Sequence, residues 1–135
     1  MRRSAGAVDP DQVRTDPLVS TEFIRFNTKR KPFDDPRVRR AFAHAIDRKA
    51  MIEGAADGLG TPIGSFYVPG APGYVDLTAV NAFNPERAKA LLKEAGITTP
   101  LELTMKLPPT PYARQGGEVI AAMLAKVGIT AKQEN

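Results

Sequence analysis

FNTKRKPFDDPRVRRAFAHAIDRKAMI, residues 26–52, holds the signals from which the fold is read. Val38, Ala41, Phe42, Ala45 and Ile46 fall at i, i+3, i+4, i+7 and i+8, which places five apolar groups on one helical face. Asp35 stands where an N-cap belongs, and Pro36 follows at the first helical position, where a missing N–H costs nothing. Asp47 is placed to cap a second helix through Met51 and Ile52. The stretch therefore predicts two short helices written back to back.

On its N-terminal side, TEFIRFN (Thr21 to Asn27) alternates Phe23 and Arg25 against Ile24 and Phe26 and reads as a strand. On its C-terminal side the second helix decays into Gly54, Gly58 and Gly60. The segment 58–81 is rich in glycine and carries Pro62, Pro69 and Pro72, so it reads as one long loop. Phe66, Tyr67, Val68 and Tyr74 give that loop apolar groups with which to pack onto the body. Asn84 and Pro85 then open a helix with Ala88, Leu91, Leu92 and Ala95 on one face, closed by Gly96 with Ile97 packing back on Leu92. LELTMKL (Leu101 to Leu107) alternates as a strand. A last helix sets Ile120, Met123, Leu124 and Val127 on one face and ends at Gly128, with Ile129 as the matching apolar partner. Thr130 to Asn135 begins another strand, parallel to the previous one if the two are neighbours, because a helix connects them. The expected architecture is α/β (α+β), a small mixed sheet with helices packed on it.

The bulk numbers agree with one domain. The chain has 135 residues, 42% of them hydrophobic, and no apolar run of membrane-spanning length. Residues 1–20 begin with two arginines but lack the apolar centre of a secretory leader. They read as a weakly ordered polar lead-in to a domain over 21–135, and the chain as written is expected to stay in the cytoplasm. Cysteine is absent, which removes disulfides, thiolate metal sites and cysteine nucleophiles. The net charge of +4 is concentrated early, and Arg37, Arg40, His44 and Arg48 form a stripe at helical spacing. That stripe reads as a solvated face. The alternative is a basic module that binds nucleic acid or an acidic protein partner through Arg37, Arg39, Arg40 and Arg48. No stacking aromatics interleave with these charges, so no nucleic acid is expected as partner.

Catalysis finds little support. The single histidine, His44, reads as an exposed surface residue with no carboxylate partner at helical spacing. Ser4, Ser20 and Ser65 lie outside any nucleophile-elbow pattern. Asp35 and Asp47 are explained as caps and Asp34 as a turn residue, and no metal or cofactor site is expected. A binding role fits better. Clefts for small solutes are lined by aromatics and backbone polar groups. Two segments offer them: Phe66, Tyr67 and Tyr74 in the long loop, and Thr110, Tyr112 and Arg114 in PPTPYAR after the LELTMKL strand. Ligands in α/β folds gather beyond the carboxyl ends of strands, and three prolines stiffen that second turn.

The FNT-basic-PF-DD-x-x-VR-x-A run and the AIDR after it closely resemble the signature of the family 5 extracellular solute-binding proteins. So do Gly58-Leu-Gly-Thr-Pro62, the loop Val68 to Tyr74, Asn84 to Gly96, and Val127-Gly-Ile129. The resemblance implies one lobe of a periplasmic-binding-protein type II-like, dipeptide-binding-protein-like fold, the C-terminal lobe of a longer parent. It implies a non-catalytic component of an ABC importer that binds a peptide, oligopeptide or related small solute without a cofactor and contributes one wall of the cleft. The implied partners are the solute, an ABC permease in the membrane and the N-terminal lobe. The parent is implied to be periplasmic, or extracellular and membrane-anchored. Dipeptide binders of the family carry an arginine two places before the tyrosine that matches Tyr112, holding the ligand carboxylate. This chain has Thr110 there.

Overall fold

The structure is a computed structural model that describes residues 22–134. The lead-in expected over 1–20 lies outside the described residues. Elements follow in the order α1 (Pro36–Ala45), α2 (Arg48–Ala55), α3 (Pro85–Glu94), β1 (Leu101–Lys106), α4 (Pro111–Ala125) and β2 (Ile129–Glu134).

The first helix starts where its cap dictates. The Asp35 carboxylate accepts the Arg37 N–H at 2.8 Å, and Pro36 fills the position that needs no donor. Val38, Ala41, Phe42 and Ala45 are buried, while Ile46 turns extended and ends the helix. One residue later Asp47 accepts from the N–H groups of Lys49 and Ala50 and starts α2. That second helix buries nothing fully and lies against α4. α3 is capped by Asn84 and buries Ala88, Leu91 and Leu92 against α1. It stops in a Schellman turn: Gly96 takes φ +72°, its N–H reaches the Lys93 carbonyl and the Ile97 N–H reaches that of Leu92, both at 3.0 Å. Only a residue without a Cβ takes that backbone angle at no steric cost.

β1 and β2 pair in parallel, Leu101 opposite Ile129 through Lys106 opposite Glu134, with α4 as the crossover. The parallel pairing expected from LELTMKL and the closing strand is observed. Two expectations need correction. TEFIRFN is not a strand over its described residues, 22–27. Phe26 is committed elsewhere, its ring 5.1 Å from Phe33 and 5.3 Å from Phe42, and the Arg25 guanidinium sits over the Phe23 ring. Among the described residues the sheet is accordingly two strands, smaller than expected. The ends of α3 and α4 also differ. At α4 the N–H groups of Lys126, Val127 and Gly128 bond three residues back, and Ile129 passes straight into β2.

The core is continuous across these elements. Val38, Ala41, Phe42, Ala45, Ala88, Leu91, Leu92, Leu124, Val127 and Ile129 are each at most 3% exposed. Phe26, Phe33, Leu101, Leu103 and Ile120 pack around them.

Between α2 and α3 the chain makes a strap without regular structure. It is a run of turns: Ala71 N–H to Val68, Tyr74 to Ala71, Val80 to Leu77. Gly64 crosses the other limb of the strap so closely that a Cβ there would lie 2.2 Å from the Leu77 carbonyl carbon. Asp76 accepts from both the backbone and the hydroxyl of Thr78. The strap is anchored where it rejoins the body, by His44 Nδ1 on the Ala82 carbonyl at 2.7 Å and the Asn84 N–H on the His44 carbonyl at 2.8 Å.

Candidate functional site

Beyond Lys106, the Leu107 N–H still reaches the Glu134 carbonyl at 2.8 Å, and then the ladder stops. Pro108, Pro109 and Pro111 have no N–H to continue it. Thr110 is extended, at φ −125° and ψ 147°, and stands as the N-cap of α4. The other helices each have a side-chain oxygen on their first turn, from Asp35, Asp47 and Asn84. Thr110 makes no such bond, and its Oγ1 is buried with no hydrogen-bond partner among the described residues.

A depression of about 340 Å³ opens at this corner, lined by Pro109, Thr110, Pro111, Arg114, Gln115 and Glu118. Gln115 ties the wall to α2 through its amide, which donates to the Gly54 carbonyl at 2.9 Å. The charges are arranged against the helix dipole. The first turn of α4 holds no acid. Arg114 follows directly, near the positive end of the helix, where a cation is disfavoured by about 0.3–1 kcal/mol. Ion pairs among the described residues are Arg37–Asp35, Arg87–Glu94 and Lys89–Glu86, so Arg114 and Glu118 are in none.

Of the six residues expected to bind ligand, Thr110 and Arg114 line this depression. Tyr112 sits beside them in sequence, half exposed and outside the lining. Phe66 and Tyr67 lie in a separate exposed patch with Phe23, their ring centres 6.1 and 6.2 Å from their neighbours. Tyr74 is half-buried within the turns of the strap. Phe66 is 77% exposed, so the strap does not fold its aromatics onto the body as expected. Of the four residues Phe66, Tyr67, Val68 and Tyr74, only Val68 and Tyr74 are half-covered. Gln115 and Glu118 were not among the expected residues. The only signal for Glu118 is its spacing, i+8 from Thr110 and i+4 from Arg114.

Other expected features resolve differently. His44 is not a free surface histidine but the half-buried anchor of the strap. Two of the four arginines of the basic alternative hold the fold together. Arg37 grips both Asp35 carboxylate oxygens and the Glu94 carbonyl, joining the start of α1 to the end of α3. That grip holds the Asp35 carboxyl below its usual range and raises Arg37. Arg39 donates to the carbonyls of Phe33 and Asp34. A second depression, of about 380 Å³, includes Lys89, Lys93 and Lys126 in its lining at the opposite end of the sheet. Lys93 and Lys126 lie at helix C-termini, where the dipole favours them. No group of metal-ligating side chains occurs among the described residues.

Residues 4–135 match the family described as bacterial extracellular solute-binding proteins, family 5 middle. The chain is 35% identical to a dipeptide-binding protein of Escherichia coli K12, over 86% of this chain and 23% of that one. Among solved structures it is similar to the PBP AgaA from A. tumefacien R10 in complex with agropinic acid, with a TM-score of 0.74 and 39% identity over 82% of this chain and 23% of that one. It is also similar to the ABC transporter-associated periplasmic binding protein DppA from Helicobacter pylori in complex with peptide STSA. That likeness has a TM-score of 0.72 and 32% identity over 80% of this chain and 21% of that one. The chain thus spans about a quarter of the length of these relatives.

Proposed function

The chain belongs to the bacterial extracellular solute-binding proteins of family 5, and from that premise we propose that it forms one wall of a ligand cleft in a longer, non-catalytic binding protein. The observation that carries this reading is the depression at the carboxyl end of β1, where the buried Thr110 hydroxyl has no partner of its own. The relatives in complex with agropinic acid and with a peptide support a small polar solute, a peptide or a related amino-acid derivative, as the ligand. Thr110, Tyr112 and Arg114 are the wall residues, and the exposed Phe66 and Tyr67 form a second contact surface with Tyr74 behind them. The parent delivers its solute to a membrane permease of an ABC importer and works outside the cytoplasm.

The residues present can bind but have little to react with. Arg114 offers a charged donor and Glu118 an acceptor at a site partly shielded from water. Binding that depends on two walls loses most of its contacts when one is removed. Calorimetric titration of a di- and tripeptide panel tests this. The 135-residue chain alone shows no micromolar binding, and the full-length parent binds a member of the panel at micromolar or better. Micromolar affinity in the chain alone overturns the shared cleft.

A further inference from the structure

We propose that the depression at the amino-terminal end of the sheet binds a phosphate group through Lys89, Lys93 and Lys126. It is separate from the cleft wall: Thr99 and Gly128 in its lining precede β1 and β2, whereas Thr110 and Arg114 follow β1. Its charge has one sign, three lysines and no acid, above the buried side chains of Leu92 and Val127. Lys89 and Lys93 stand one turn apart on α3, a like-charge spacing that works against the helix. Lys126, the C-cap of α4, brings a third cation to the same hollow. A lysine at a helix end is ordinarily explained by the unpaired carbonyls there. Here the turns supply their own donors. The N–H groups of Ala95, Gly96 and Ile97 bond the carbonyls of Leu91, Lys93 and Leu92, and those of Lys126, Val127 and Gly128 bond Met123, Leu124 and Ala125. Neither Lys93 nor Lys126 belongs to an ion pair among the described residues. Lys89 lies in mid-helix, where the dipole does not account for it, and its partner Glu86 is 82% exposed.

The residue type selects the ligand. An ammonium is a point charge with three rotatable donors, which suits a tetrahedral oxyanion, whereas the planar guanidinium fork is the better match for a carboxylate. A multivalent anion relieves the mutual repulsion of three cations that a single charge offsets only in part. The apolar floor concentrates their field in the hollow. At about 380 Å³ the depression is at the low end of small-molecule sites, with room for a phosphate and a small organic body. Such a group has two sources, a free phosphate or phosphate ester in solution and the headgroup of an anionic lipid.

The site is tested on the 135-residue chain by amide chemical-shift titration with inorganic phosphate, against sodium chloride at matched ionic strength. Phosphate shifts the amides of residues 89–99 and 126–128 and saturates, and chloride does not. Lys93→Gln and Lys126→Gln each weaken phosphate about threefold, the size expected for one exposed charge contact. Lys132→Gln, an exposed lysine on β2 outside the lining, leaves it unchanged. All three lysines are exposed, so the dispersed spectrum of each variant verifies its fold directly. Co-sedimentation with phosphatidylglycerol vesicles but not phosphatidylcholine vesicles, lost in the Lys93→Gln/Lys126→Gln double variant, assigns the group to a lipid headgroup. Phosphate binding without co-sedimentation assigns it to a soluble phosphate. The site is overturned by the absence of a shift at 89–99 and 126–128, by shifts that chloride reproduces, or by a loss on Lys132→Gln as large as on Lys93→Gln.

Discussion

The body around α1 and α3 and the strap over residues 60–83 contain similar apolar side chains put to opposite uses. In the body, apolar residues recur at helical spacing, and Val38, Ala41, Phe42, Leu91 and Leu92 are almost wholly enclosed. In the strap, Phe66, Tyr67, Val75, Leu77, Val80 and Phe83 follow no period and remain 41–77% exposed. Periodicity makes the difference. A helix puts successive apolar groups on one side, so a single neighbour covers them all. A run of turns scatters them, and the turns satisfy the backbone without needing a covered face.

The comparison breaks most readily at Leu92. Leu92→Ala removes a side chain 1% exposed between α1 and α3, and the expected loss is about 2–5 kcal/mol in urea unfolding. Phe66→Ala in the same assay stays within about 0.5 kcal/mol, as surface truncations do. Equal losses would mean that the strap is packed after all. Next in size is Gly64→Ala. Its new methyl meets backbone at Leu77 and Thr78, which cannot rotate away, and overpacking of this kind costs about 1–3 kcal/mol. Amide shifts should cluster over residues 60–82 while those of α1 and α3 hold still. Shifts spread through the core would join the two regions into one unit.

Helix caps sharpen the contrast further. Asn84→Ala removes the bond to the Arg87 N–H and should cost about 1 kcal/mol, whereas Thr110→Ala removes no cap bond and should cost less than half of that. A Thr110→Ala loss as large as that of Asn84→Ala would make Thr110 a structural cap and weaken its claim as a ligand contact. The smallest effect is on pH. The Arg37 side chain lowers the pKa of Asp35 in the body, and the Thr78 N–H lowers that of Asp76 in the strap. With folded pKa values below unfolded ones, the unfolded chain binds more protons in acid. The stability from both carboxylates is therefore present at neutral pH and is lost as pH falls below about 4 through the folded values. Side-chain carboxyl titration by NMR checks each separately, and an unshifted Asp35 would break the Arg37 link between α1 and α3.

Most of the body was legible because its signals are local. Asp35, Asp47, Asn84, the prolines after two of them, and Gly96 each act within a few residues, and all perform in the structure as their positions foretold. The parallel pairing of β1 and β2 was also legible, since a crossover helix imposes it. TEFIRFN misled because alternation alone does not bring a segment alongside a strand edge, even where one is open. Here Phe26 found two rings instead. The role of His44 was hidden for a similar reason, since its partner Ala82 lies 38 residues away. At the candidate site, prolines and the end of a strand pointed to Thr110 and Arg114. Glu118 was invisible because a carboxylate on a polar helix face looks the same whether or not a hollow lies beside it.

The two-stranded parallel sheet has a consequence for how this polypeptide behaves in company. Each strand has a flank whose peptide groups meet no neighbour among the described residues, so both sides of the ribbon remain open to recruitment. Within a longer protein, added strands would zip onto those flanks and widen the ribbon. At high concentration the same flanks make the isolated chain prone to joining its own copies, and a Lys or Pro introduced on β2 would curb that tendency without touching the core.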